Sequence, residues 1–216
     1  FVVFSPNGSR LAAVDVDGVT HVWNAESGEV VGELPAIDDA IFDLAFSPDG
    51  RRFAAATEIG QIHLFRPDEG TSRLLLREHE DAVNDVDFSP RGDLLASAGN
   101  DGTIRLWNAN TGAPVRTLTD ANSELLHHVV FSPDGQWIAA SGYNGPVRLW
   151  NVESGAQAAT FSIVAADDDL SFRFIDSIDF SPDGAYLATM ASKDVSLWRI
   201  PHDLRRGGMR TRRDPQ

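Results

Sequence analysis

The sequence contains no cysteine, only two methionines and two tyrosines, and no long apolar run. The lack of cysteine excludes disulfide bonds and thiolate-ligated metal sites, and it leaves the redox compartment of the protein open. A membrane-spanning helix needs roughly 18 or more consecutive apolar residues, so we predict no membrane span. Basic residues are also scarce, since 18 Lys and Arg stand against 32 Asp and Glu and give a formal net charge of -14. A body this acidic is expected to repel nucleic acid.

Motifs that carry catalysis or cofactor binding are missing as well. The sequence has no His-Glu-x-x-His helix and no phosphate-binding glycine-rich loop. We therefore predict a chain that is not an enzyme and has no cofactor and no metal. Three consecutive aspartates, at 167–169, offer the oxygen ligands that Ca²⁺ takes. Their spacing does not match the Asp-x-Asp-x-Asp-Gly loop, and a solvated acidic loop is the preferred interpretation.

What the sequence does contain is one short phrase in five copies, Phe-Ser-Pro followed by a variable residue and Gly. The copies begin at Phe4, Phe46, Phe88, Phe131 and Phe180, so the successive spacings are 42, 42, 43 and 49 residues. A repeat of this length is too short to bury its own apolar face. Each copy is therefore expected to be one supersecondary unit that packs on its neighbours.

The third copy shows which local structure the repeat adopts. Its apolar and β-branched residues alternate in four short runs, near 82–88, 94–97, 103–107 and 115–118, and turn signals separate these runs. Runs of this length and period predict a four-stranded antiparallel meander. The Pro-x-Gly element suits a β-turn, because Pro presets its own backbone angle and Gly accepts a positive φ.

Aromatic residues recur at one position of the repeat. Trp23, Trp107 and Trp150 each lie 19 residues after their anchor Phe and are followed by Asn, Phe65 takes the position in the second copy, and Trp198 comes one residue sooner in the fifth. The chain resembles the WD-repeat family of β-propellers, with Trp-Asn where the name-giving Trp-Asp usually stands. The resemblance covers residues 1 to about 200.

This resemblance implies an all-β fold, a β-propeller of about five four-stranded antiparallel blades, at about 1–35, 36–77, 78–120, 121–162 and 163–200. Rings of this family usually close by a strand exchange, yet Phe1 opens inside an innermost strand and the last blade lacks an outer strand. We expect an incomplete arc of a larger ring, with a closed five-blade ring as the alternative. Residues 201–216 are predicted to be a basic flexible tail that could fold back on the acidic body or contact nucleic acid.

The third copy also has, residue by residue, the internal hydrogen-bond set typical of the family: His79, Ser97, Asp101 and Trp107. By this resemblance Asp101 holds the His79 ring, which bonds Ser97, which meets the Trp107 indole. The same residue types would suit a Ser-His-Asp catalytic triad. We favour the structural role, because no Gly-x-Ser-x-Gly elbow surrounds Ser97 and buried polar groups need partners.

We predict that the chain is a protein interaction scaffold for proteins or peptides, possibly basic ones. In the family, the loops entering each blade and the turns between its second and third strands share one rim, the top rim. Its predicted acidic residues are Asp15, Asp17, Asp38, Asp39, Glu58, Glu78, Glu80, Asp81, Asp120, Glu124 and Asp167 to Asp169. Such a rim can steer a basic partner. The candidate contact residues are Glu58, Asp81, Asn100, Tyr143 and Arg173.

Two alternatives stay open at this point. The acidity of the top rim could serve solubility alone, because Glu26, Asp49, Asp134, Glu153 and Asp183 make the opposite rim acidic as well. The chain could also be the regulatory or substrate-gating propeller of a larger enzyme or signalling protein, linked to a peptidase, a dehydrogenase or a kinase. A fold alone does not decide between such functions.

Overall fold

The computed structural model describes residues 2–15, 17–34, 36–37, 39–67, 73–119, 125–143, 146–162, 175–191, 194–201 and 204. The predicted acidic loop with the aspartates at 167–169 lies outside these residues, as does the predicted tail apart from Pro201 and Leu204. No helix of the described part is long and apolar enough to cross a membrane.

The described residues form five antiparallel sheets, each a meander in which consecutive strands pair. The first sheet contains β1 (Val2–Phe4), β2 (Arg10–Val14), β3 (Thr20–Asn24) and β4 (Val30–Leu34). The second contains β5 (Ile41–Phe46), β6 (Phe53–Thr57), β7 (Ile62–Phe65) and β8 (Arg73–Leu76). The third contains β9 (Val83–Phe88), β10 (Leu94–Gly99), β11 (Thr103–Asn108) and β12 (Pro114–Thr119).

The last two sheets follow the same plan. The fourth contains β13 (Leu126–Phe131), β14 (Trp137–Gly142), β15 (Val147–Asn151) and β16 (Gln157–Phe161). The fifth contains β17 (Ile175–Phe180), β18 (Tyr186–Ala191) and β19 (Asp194–Arg199), so within the described residues it has three strands. The prediction of an all-β fold with four-stranded blades and a last blade of three strands is confirmed.

The repeated phrase forms the turn between the first and second strands of each sheet. Its glycine has a positive φ in all five copies, between 65° and 71°, a backbone region that favours glycine. In the second copy the Ser47 hydroxyl accepts the Arg52 N-H at 2.9 Å and donates to Asp49 at 2.6 Å. The phrase is therefore a self-contained turn, which explains why it repeats with so little change.

The apolar core lies between neighbouring sheets and not inside any one of them. One buried cluster joins the second and third sheets through Ile62, Leu64, Val86, Phe88 and Trp107, and equivalent clusters fill the other three gaps. The innermost strands β1, β5, β9, β13 and β17 lie beside one another in chain order. Each sheet thus depends on its neighbour for burial, as the repeat length predicts.

Candidate functional site

A chain of hydrogen bonds runs through the third sheet, from Trp107 in its core to Asp101 in the turn after β10. The Trp107 indole N-H donates to Ser97 Oγ at 2.9 Å, Ser97 Oγ lies 2.7 Å from His79 Nε2, and His79 Nδ1 lies 2.9 Å from an Asp101 carboxylate oxygen. Because an indole only donates and a carboxylate only accepts, the direction of the bonds is fixed when the His79 ring is neutral. Ser97 donates to Nε2 of a His79 ring whose Nδ1-H donates to Asp101.

The network is shielded from solvent at every member. Ser97 and Trp107 are buried, and the His79 ring and the Asp101 carboxylate are almost fully covered. Burial alone would raise the pKa of Asp101, but the hydrogen bonds from His79 and Thr103 outweigh it and hold that pKa well below its usual range. The carboxylate is therefore ionised throughout the physiological range and holds the loop that carries His79 against the turn after β10.

Other sheets keep only parts of this arrangement. The second sheet has buried Ile37, Ala55 and Phe65 at the positions of His79, Ser97 and Trp107. In the fifth sheet the Trp198 indole donates to Thr189 Oγ1 at 3.1 Å. When apolar residues replace all the polar groups of the network in one sheet, no polar group is left without a partner. Such a joint replacement changes the free energy of unfolding little.

Ser97→Ala is expected to lower the free energy of unfolding by about 1–3 kcal/mol, because it leaves the Trp107 indole and the His79 ring without their common partner. The triple variant His79→Ile, Ser97→Ala, Trp107→Phe introduces the second sheet's residues at these three positions and leaves Asp101 its hydrogen bonds from Glu80 and Thr103. It should cost less than the sum of its three single variants. Urea unfolding followed by circular dichroism measures all four. If the loss in the triple variant equals the sum of the three single losses, the residues of the network do not stabilise the fold cooperatively.

The top rim brings together equivalent positions of neighbouring blades. Glu58, Asn100 and Tyr143 occupy the same repeat position in the second, third and fourth sheets. The N-H of each donates to a carbonyl of the loop that enters its own sheet, at 2.9 Å to Ala40, 2.8 Å to Ala82 and 2.9 Å to Leu125 respectively. Three of the predicted contact residues thus form a row of equivalent positions, one in each of three successive sheets, with the same backbone hydrogen bond.

The fourth predicted contact residue, Asp81, lies in the loop that enters the third sheet. A side chain built at Gly60, in the turn that carries Glu58, would meet the Asp81 carbonyl at 2.8 Å. This closeness shows that the second sheet's turn lies against the third sheet's entering loop. Arg173 and six of the acidic residues assigned to the top rim lie outside the described residues: Asp38, Asp120, Glu124 and Asp167 to Asp169.

The carboxylates of the two rims have different local partners. On the opposite rim, Asp49, Asp134 and Asp183 each accept the serine hydroxyl of their own Phe-Ser-Pro turn at 2.6 Å. On the top rim, Glu78 pairs with Arg105 at 2.8 Å, and Asp101 belongs to the buried network. Glu58, Glu80 and Asp81 are exposed there. Three of the five acidic residues assigned to the opposite rim therefore have a local structural role in their turns.

A further acidic group lies along the innermost strands, and the sequence interpretation missed it. Carboxylate oxygens of Asp43, Asp85 and Asp87 accept the N-H groups of the next innermost strand, from Val86 at 3.1 Å, Val129 at 2.8 Å and Phe131 at 2.7 Å. The available signal was the position of these aspartates, one or three residues before the anchor Phe. Alternate residues of a strand share a face, so these carboxylates lie together and tie adjacent sheets.

Sheets that pack face to face in chain order around adjacent innermost strands define an arc of a β-propeller. The sequence pattern of the family described as WD domain, G-beta repeat matches residues 1–24, 28–65, 70–108 and 112–151, and the chain belongs to this family. No curated protein shows significant similarity to the chain. WD repeat domains generally mediate interactions between proteins and are typically non-catalytic.

The matched repeats are out of phase with the sheets. The match at 28–65 begins before β4 of the first sheet and ends with β7 of the second, and the matches at 70–108 and 112–151 are offset in the same way. Each of these three repeats therefore supplies the outer strand of one sheet and three strands of the next. This offset joins neighbouring sheets covalently as well as by packing.

Proposed function

We propose that this chain is a non-catalytic scaffold whose top rim binds a basic segment of a partner protein or a basic peptide. The observation that carries the proposal is the row formed by Glu58, Asn100 and Tyr143, at one repeat position of three successive sheets. A repeated position with a fixed backbone and variable side chains is suited to recognition, because the frame stays constant while the contacts vary.

The side chains of the row and of the neighbouring Asp81 favour a positively charged ligand. Glu58 and Asp81 supply exposed carboxylates on neighbouring blades. Tyr143, at 42% exposure, offers an aromatic ring to which an arginine or lysine side chain can bind through a cation–π contact. The net charge of residues 1–198, -18, adds long-range attraction for such a partner.

The hydrogen-bond network supports the same function indirectly. We assign His79, Ser97, Asp101 and Trp107 a structural role, because Ser97 Oγ is buried and already accepts the Trp107 N-H. A nucleophile needs access to its substrate, and Ser97 lacks that access in this arrangement. By holding the entering loop against the turn after β10, the network fixes Asp81 and Asn100 relative to each other.

Charge reversal tests the proposed binding surface. The double variant Glu58→Lys, Asp81→Lys is expected to weaken binding of a fluorescent arginine-rich peptide about tenfold, because exposed charge contacts contribute about 0.2–1 kcal/mol each and reversal also adds repulsion. Fluorescence anisotropy at low and moderate salt gives the dissociation constants, and the difference should shrink as salt rises.

The matched control reverses two charges on the opposite rim, in the variant Glu26→Lys, Glu153→Lys. It changes the net charge of the chain by the same amount, so it accounts for the loss of long-range attraction alone. Binding that falls equally in both double variants would contradict a specific top-rim site. Circular dichroism should show the same fold in both, because all four substituted side chains are exposed.

A further inference from the structure

On the opposite rim, an arginine fills the space between the second and third sheets. The Arg52 guanidinium donates to the Asn110 side chain at 2.7 Å, and the Arg66 guanidinium donates to the Asn110 carbonyl at 3.2 Å. A side chain built at Gly92, in the turn after β9, would meet the Arg52 guanidinium at 3.2 Å. The side chain of Arg52 therefore lies between two turns of the third sheet.

The next gap, between the third and fourth sheets, has different residues at these positions. Leu94 stands at the repeat position of Arg52, and Glu153 stands at that of Asn110. Both line an open cleft of about 1090 Å³. A carboxylate accepts a hydrogen bond from arginine more strongly than a neutral amide does, so this cleft offers a guanidinium a better acceptor than the filled gap. Its other charged lining residues are two acids and one base: Asp93, Asp134 and Arg91.

The path of the chain after β19 leads to the same cleft. The Trp137 indole N-H donates to the Leu204 carbonyl at 2.9 Å, and both residues line the cleft. Leu204 also packs on the apolar cluster between the fourth and fifth sheets. Arg205 and Arg206 follow Leu204 directly. Since a chain advances at most about 3.6 Å per residue, both arginines are attached close to the cleft wall.

We propose that the arginine-rich segment 205–213 of this chain binds in this cleft, with one arginine in the place that Arg52 takes in the preceding gap and with Glu153 as its partner. The segment contains five arginines and no acidic residue, so its charge complements the three carboxylates of the lining. A segment bound at the opposite rim does not compete with a basic partner for the top rim. Docking therefore leaves the site of the proposed function accessible.

Disulfide trapping in the full chain tests this docking, because the sequence has no cysteine of its own. The variant Ala156→Cys, Gly207→Cys places one thiol on the cleft lining and one in the segment. In oxidised glutathione its intramolecular disulfide should form about tenfold faster than in Ala113→Cys, Gly207→Cys, since docking raises the effective concentration of the two thiols. Ala113 is exposed at the same repeat position of the third sheet, beside the filled gap. Non-reducing gel electrophoresis over time gives both rates.

Further changes, each added to the Ala156→Cys, Gly207→Cys variant, identify the contact. Leu94→Arg copies the filled gap and should slow the disulfide to the control rate, whereas Leu94→Ala leaves the cleft open and should not. Arg205→Glu with Arg206→Glu should also slow it, and this change touches none of the described sheets. Equal rates in the two cysteine pairs, or a rate that the arginine reversal leaves unchanged, would overturn the proposal. A disulfide-linked dimer in place of the intramolecular bond would overturn it too, because the occupant would then be the segment of a second copy.

Discussion

Phe131→Ala is expected to lower the free energy of unfolding by about 3–5 kcal/mol, the usual cost of removing a buried aromatic side chain. The same substitution at Phe4 should change it by less than about 0.5 kcal/mol, as at an ordinary surface position. Both residues open the same five-residue phrase, but Phe131 is 5% exposed and Phe4 is 61% exposed. The difference arises because each anchor Phe packs on the sheet that precedes its own. Among the described residues, no sheet precedes the first one.

Urea unfolding of the two variants and the wild type, at one protein concentration, measures this difference. A lower midpoint with an unchanged slope indicates lost stability without a change in the surface exposed on unfolding. Phe88→Ala provides a matched control in the third sheet, where the anchor is equally buried, and its loss should resemble that of Phe131→Ala. Equal losses at Phe4 and Phe131 would contradict packing across the gap as the source of the energy.

Asp43→Asn should stabilise the protein by an amount that is small near pH 4 and grows to a few kcal/mol towards pH 8. Burial, with the neighbouring Asp85 carboxylate adding to it, raises the pKa of Asp43 to about 8. Burial also raises the pKa of Asp87 to about 7. The asparagine amide imitates the protonated acid, since its oxygen can still accept the Val86 N-H while its NH₂ group donates to Asp85.

The sign of the effect follows from proton binding. The folded state holds the Asp43 proton more tightly than the unfolded state, whose aspartate has its ordinary pKa of 3.8. The corresponding stability is fully present below pH 4 and is lost as pH rises towards 8, at about 1.4 kcal/mol per pKa unit. Asp101 acts in the opposite direction, because its lowered pKa adds stability that is lost as pH falls. That contribution is common to both proteins and cancels in their difference.

Unfolding midpoints of the wild type and the variant, taken at several values between pH 4 and pH 8, test this prediction. Glu26→Gln removes one exposed charge elsewhere and should give a difference that does not grow with pH in this way. A constant difference, or a variant that is less stable at pH 8, would contradict the prediction. It would show that ionisation of Asp43 does not lower the free energy of unfolding.

The repeated phrase and its spacing were sufficient to predict the strand order within each sheet. This success has a local cause, because the turn is closed by its own serine, its own acid or asparagine, and a glycine with positive φ. The residue types at 79, 97, 101 and 107 likewise suggested the network through family resemblance. The distances that join them depend on how the entering loop folds over the third sheet.

The acidic group on the innermost strands could not be predicted from the sequence in the same way. Asp43 and Asp85 are 42 residues apart, and they interact because two innermost strands lie side by side. The raised pKa values of Asp43 and Asp87 depend on burial by neighbouring sheets, a property of the assembled fold that strand period alone does not give. The structural role of the opposite-rim aspartates likewise became apparent only from their hydrogen bonds.

The sequence by itself determined the blade, because turns and alternating strands are set by neighbouring residues. It also determined the family, through five copies of a multi-point pattern. Only the tertiary structure decided which residues at the same repeat position are also buried to the same extent. Phe4 and Phe131 share a phrase and differ in burial, since burial belongs to pairs of sheets and not to single repeats.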